Sequence, residues 1–112
     1  MKDLVSWQDF EKLDIRVGTV IDAQRFPEAK KPAYTMEIDF GPEIGKKVSS
    51  AQITELYQVF EIIGQKVIAL VNMPPKKIGP FISECLVLGI YTETGVSLLR
   101  PDKYSSNGDK VG

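Results

Sequence analysis

Apolar and polar residues alternate most regularly at Tyr34, Met36, Ile38 and Phe40, with Thr35, Glu37 and Asp39 between them. A period of two predicts a strand with one face on a core and the other toward water or a ligand. Residues 14–26 repeat the pattern, with Ile15, Val17, Thr19, Ile21 and Ala23 on one face. Gly18 within that stretch predicts a bulge or sharp bend, the device by which one strand of a small barrel joins two sheets. A third strand is expected over 46–50, a fourth over 66–73 and a fifth over 85–90. The unbroken apolar run 67–71 leaves the fourth no solvated face, which places it centrally. Thr92-Glu93-Thr94-Gly95 then turns the chain into 96–99.

Helical spacing is rarer. Over 6–13, Ser6 caps a short helix, Asp9 stands three residues on, and Trp7, Phe10 and Leu13 form one stripe. So large a stripe on so short a helix has to be covered, either by the core or by a second copy of the chain. A second short helix is expected over 52–57, with Ile53, Leu56 and Tyr57 inward, and 59–64 extends its cover. Short strands with one helix between the third and fourth predict an all-β domain with short helices, an OB-fold-like five-stranded β-barrel. The barrel is expected over 14–100, with extensions at 1–13 and 101–112. Two short helices are too few for a βαβ arrangement.

Residues 70–89 interrupt the strand pattern with Pro74, Pro75, Pro80 and Gly79, the pair Lys76 and Lys77, and the bulky Ile78 and Phe81. Prolines remove amide donors, so a stiff connection between two buried strands is expected, and such loops commonly carry function. Lys76 and Lys77 suit phosphate contacts, with Asn72 and Ser83 adding hydrogen bonds; alternatively Asn72 ends its strand on its own backbone. Ile78 and Phe81, beside these lysines, form a candidate apolar patch for peptide. Ser49-Ser50-Ala51-Gln52 offers hydroxyls and a carboxamide to a ligand, or simply a helix cap. Tyr34, Tyr57 and Phe81 are the aromatics to weigh as base-stacking platforms against core packing. Glu84 is expected either exposed at a strand end or orienting Lys77.

The chain of 112 residues is 43% hydrophobic and 26% charged, an ordinary globular composition able to bury a core without staples. It contains no histidine, which removes the usual neutral-pH base, histidine-paired nucleophiles and histidine metal sites. The carboxylates are scattered, no glycine-rich phosphate loop occurs, and neither cofactor, metal nor catalytic residue is expected. The lone Cys85 sits in an apolar run and reads as a buried, inert thiol. With one cysteine, no apolar leader and no bilayer-length run, the expectation is a cytoplasmic protein without membrane insertion. Net charge is −1, yet residues 44–83 carry +3 through Lys46, Lys47, Lys66, Lys76 and Lys77 over Glu55 and Glu61. Lys46, Lys47, Lys76 and Lys77 are therefore candidates for a local phosphate-binding face.

Several segments together resemble one family. They are Leu13-Asp14-Ile15-Arg16-Val17-Gly18, Phe26-Pro27-Glu28-Ala29, Ile38-Asp39-Phe40-Gly41, Ser49-Ser50-Ala51-Gln52-Ile53-Thr54, Asn72-Met73-Pro74-Pro75-Lys76-Lys77-Ile78, Ser83-Glu84, Leu86-Val87-Leu88-Gly89 and Pro101-Asp102. In order and spacing the chain is similar to the tRNA-binding domain family and, within it, to the CsaA group of export-related chaperones. The resemblance implies an OB-fold, no enzymatic activity and a homodimer built with help from the terminal extensions. It implies unfolded preproteins or peptides, the secretion motor ATPase and tRNA as partners. Trp7, Phe10 and Leu13 would lie in the dimer interface. The ligand surface it implies comprises Arg16, Ser50, Gln52, Asn72, Lys76, Lys77 and Ser83. Where tRNA-binding relatives usually carry arginine and glycine, this chain has Gly79 and Pro80, one cation fewer.

Overall fold

A computed structural model describes residues 1–112. The long strand β1 (Ile15–Arg25) is shared between two partners. Its first half, Ile15 to Thr19, pairs antiparallel with β4 (Lys66–Leu70), and Thr19 to Arg25 pairs with β2 (Tyr34–Asp39). The changeover is at Thr19, which pairs with both, and a bulge follows within the β2 ladder between Val20 and Asp22, three residues beyond Gly18. The extra residue reverses the pleat: Val20 is fully buried and Ala23 nearly so, while Ile21 is 38% exposed. The single face expected from Ile15 through Ala23 therefore breaks at Ile21. Gly18 has a different task, because a Cβ there would lie 2.5 Å from Ile38 and 2.8 Å from the Phe40 ring. Its hydrogen makes room for the side chains of β2.

Strand β2 keeps the alternation read from sequence, with Tyr34, Met36, Ile38 and the following Phe40 buried. The turn after it closes through Phe40 N–H to Gly45 O at 3.0 Å, with φ of +87° at Gly41 and +82° at Gly45. It delivers the chain into β3 (Lys46–Ala51), which pairs with β2 along its length. No helix forms over 52–57, contrary to expectation; residues 54–56 are turn, followed by one 3₁₀ turn, Val59–Glu61. Tertiary bonds hold this segment open: the Tyr34 hydroxyl donates to Tyr57 O at 2.8 Å, and the Tyr57 hydroxyl accepts from Leu98 N at 2.9 Å. A six-residue helix offers too few internal bonds to compete. Ile53 and Ile62 still enter the core.

Strand β4 is central, between β1 and β7 (Leu86–Val87), and ends at Leu70 rather than Met73. The connection expected to be irregular contains a hairpin, β5 (Lys76–Ile78) with β6 (Phe81–Ser83). Gly79, at φ of +58°, takes the first central position of its two-residue loop, where a type II′ turn wants glycine. Pro80 sits in the loop and interrupts no ladder. The fifth strand divides at Leu88 into β7 and β8 (Gly89–Thr92), and β8 pairs with β9 (Gly95–Leu98).

The main sheet has the order β3-β2-β1-β4-β7. Its edges are drawn together by Glu84, whose N–H donates to Val48 O at 2.8 Å and whose carboxylate accepts from Val48 N at 3.0 Å. Ser49 Oγ adds a bond to Cys85 O at 2.9 Å. Glu84 is thus a clasp; neither a free strand end nor a partner for Lys77 describes it. The result is a nearly closed five-strand antiparallel barrel of OB-like fold, with Phe40, Ile38, Ile62, Val20 and Val67 sealed inside.

The C-terminal segment is tied to β1. Residues 108–111 run beside its first half, through Gly108 N–H to Val17 O, Val17 N–H to Asp109 O and Val111 N–H to Ile15 O. The N-terminal helix α1 (Trp7–Glu11) has both arms of a capping box, Ser6 with Asp9. It buries nothing: Trp7 is 81%, Phe10 37% and Leu13 45% exposed. No helix is long and apolar enough to cross a membrane.

Candidate binding cleft

Three short segments converge on an open cleft of about 1010 Å³. The loop after β1 brings Lys30 and Lys31, the end of β3 brings Ser50 and Gln52, and β5 brings Lys76, Lys77 and Ile78. Half of the lining is apolar, so an apolar floor meets a cationic rim. Glu28 is the only carboxylate on the lining, against four lysines. None of those lysines is in an ion pair, since the three pairs in the chain are Lys12 with Asp9 and Arg16 with Asp14 and Glu43. Unpaired and largely exposed, they make the cleft locally positive in a chain of net charge −1.

Ser50, Gln52, Lys76, Lys77, Ile78 and Ser83 all line this cleft. Ser83 is 8% exposed, and its hydroxyl accepts from Ser50 N at 3.2 Å and donates to Cys85 O at 3.2 Å, so it shapes the floor. Cys85 lies beneath, its thiol pushed up to about 11 by burial, which leaves it protonated and a poor nucleophile.

Other residues assigned to the ligand surface are placed elsewhere. Arg16 does not line the cleft and is only 4% exposed. Its guanidinium bonds both oxygens of Asp14, Glu43 at 2.8 Å and Gly108 O at 3.0 Å. Those carboxylates hold the Arg16 charge firmly in place, and the guanidinium keeps the Glu43 carboxyl below its usual range. Arg16 is thus a buried hub joining Asp14, Glu43 and the C-terminal segment. Asn72 is engaged as well, accepting from Asp14 N at 2.9 Å and donating to Lys12 O at 2.7 Å. It does not end its strand on its own backbone; it fastens the end of α1 to the barrel, outside the cleft lining.

Lys46 and Lys47 begin β3 outside the cleft, opposite Asp39 and Ile38. Phe81 tilts against Phe26, with ring centroids 5.5 Å apart, and lines a separate hollow of about 360 Å³ with Met36 and Val48. Ile78 and Phe81 therefore do not share one cleft. Tyr34 is buried, and Tyr57 is half-buried against the core and anchored by both its hydroxyl and its carbonyl. Sequence reading missed Lys30 and Lys31, whose position between Pro27 and Pro32 mirrors that of Lys76 and Lys77 beside their own prolines. It also missed Met73, Leu86 and Tyr91, which complete the apolar wall. No group of three or more carboxylate, cysteine or histidine side chains is placed to hold a metal.

A family model described as a tRNA binding domain matches residues 15–110. The CsaA chaperone protein from Picrophilus torridus superimposes with a TM-score of 0.93 at 52% identity, over 97% of this chain and 100% of that one. The chaperone CsaA from Bacillus anthracis gives 0.91 at 47% identity, over 98% and 100%. Methionine–tRNA ligase of Nanoarchaeum equitans is 38% identical over 108 residues, which are 96% of this chain and 14% of the ligase. The chain thus spans about a seventh of the length of such curated relatives.

Proposed function

The chain belongs to the tRNA binding domain family, and from that premise we propose that it is a CsaA-type chaperone holding segments of unfolded polypeptide in the lysine-rimmed cleft. The observation that carries this reading is the combination of apolar floor and unpaired cations in one open site. An unfolded client exposes apolar side chains and backbone, and burying the former is the general source of such affinity. The work is binding: the cleft holds no histidine, and its one thiol is protonated and buried. We further propose that two copies pair through Trp7, Phe10 and Leu13, presenting two clefts and raising avidity for one client. Such a dimer would act in the cytoplasm and pass clients to the secretion motor ATPase. Light scattering tests the reading. An equimolar amount of the chain suppresses aggregation of a chemically denatured protein as it is diluted from denaturant, and unchanged scattering overturns the proposal.

The four unpaired lysines also favour a second reading, binding of tRNA through its phosphates. That reading predicts affinity falling steeply with salt, with a log–log slope reduced by about 2 in the Lys76→Glu, Lys77→Glu variant. A slope that stays the same removes these lysines from any tRNA contact.

A further inference from the structure

The hairpin in the cleft wall has one edge without a partner. Strand β5 pairs only with β6, and no other backbone–backbone bond reaches residues 76–78. In a hairpin with a two-residue loop the closing pair, here Ile78 and Phe81, exchanges hydrogen bonds, and the next pair does not. Lys77, opposite Ile82, therefore directs its N–H and C=O away from β6. Lys76 and Lys77 are exposed, and both line the cleft. Pro74 and Pro75 stop the strand from extending backward and limit the edge to three residues.

Resting on the chaperone reading above, we propose that the client enters as an extended strand added to the free edge of β5, and that the cleft selects segments alternating acidic and apolar residues. Strand addition takes its affinity from main-chain bonds and its choice from alternate side chains. Lys77 supplies one donor and one acceptor to the incoming backbone. Lys76 and Lys77 point to opposite faces of β5, so a client's carboxylates, all on one face, meet one of this pair together with Lys30 and Lys31 of the facing loop, while its alternate residues fall on apolar lining such as Leu86 and Tyr91. With four lysines facing one carboxylate, a basic segment is repelled where an acidic one is drawn in. Charge complementarity thus names the class of client that the apolar floor alone leaves open.

Fluorescence anisotropy on the full chain tests both halves, with labelled nine-residue peptides alternating Glu and Val or Lys and Val. The Glu peptide should bind about tenfold more tightly at low salt, with the gap shrinking as salt screens it. Equal or stronger binding of the Lys peptide overturns the charge assignment. In the Lys30→Glu, Lys31→Glu variant, altered only in an exposed loop, the preference should disappear; its persistence also counts against the assignment. N-methylation of the central backbone amides of the Glu peptide should weaken binding several-fold, and undiminished affinity overturns strand addition. Binding of tRNA with no binding of either peptide overturns the inference in favour of a nucleic-acid site. Aggregation suppression measured on the same sample separates the two levels. If it persists while the peptides fail, only this inference falls; if both fail, the chaperone reading falls too.

Discussion

At the scale of single residues, the most restrictive position is Gly18. Adding one methyl there brings carbon to within 2.5 Å of Ile38 and 2.8 Å of Phe40, both fully buried. Gly18→Ala is expected to cost about 1–3 kcal/mol, read as a lower urea midpoint at unchanged slope. Arg16 imposes an electrostatic constraint instead. Its partner Glu43 has a folded-state pKa below the unfolded one, so their pairing stabilises the fold above the ordinary Glu range. That contribution is lost as pH falls through the depressed value. Glu43→Gln should therefore lower stability at neutral pH, with the difference from the parent vanishing in strong acid; an unchanging difference across denaturation curves would contradict it. Residue types were legible in the sequence, but their assignments were less so. Arg16 belongs to a pattern associated with ligand binding, yet it is enclosed by Asp14, Glu43 and Gly108, which lie up to 92 positions away. Asp14 is local, but nothing nearby in the chain announces Glu43 or Gly108.

At the scale of elements, strand β2 was legible because one face is core and the other is not, so its burial repeats its sequence. The bulge at Ile21 and the missing helix over 52–57 were hidden for a common reason. Both are set by distant partners: Val20 bonds Gln65 O and Gly64 N, and Tyr57 bonds Tyr34 and Leu98. The β5–β6 hairpin was obscured by its prolines, which read as breakers although Pro74 and Pro75 precede β5 and Pro80 occupies its turn. Of the cleft, the half built by β3 and β5 could be read from polar residues beside prolines, whereas the Lys30 and Lys31 half required the loop to fold back. Asn72 links two elements, α1 and the end of β4. Asn72→Ala removes two hydrogen bonds, roughly 1–2 kcal/mol of local tethering. Faster amide exchange over residues 7–14, with exchange in β2 unaltered, is the expected signature.

At the scale of the whole molecule, apolar surface is distributed unevenly. Met1, Leu4, Val5, Trp7, Phe10 and Leu13 are all exposed within thirteen residues, a concentration that a second copy would cover. Trp7→Ser should shift the sedimentation of a micromolar solution from dimer to monomer without altering thermal unfolding of the barrel's near-ultraviolet signal from Tyr34 and Tyr57; a variant sedimenting as the parent does would exclude this face. The barrel seam has a consequence in time. The first half of β1 is flanked on one side by β4 and on the other by residues 108–111. A ribosome therefore makes this strand long before the segment that seals its flank. Throughout synthesis the amides of Ile15 and Val17 face water or whatever passes by, and Arg16 waits beside its carboxylates for Gly108. The nascent chain carries an open strand edge of the kind that it is proposed to offer its clients when finished.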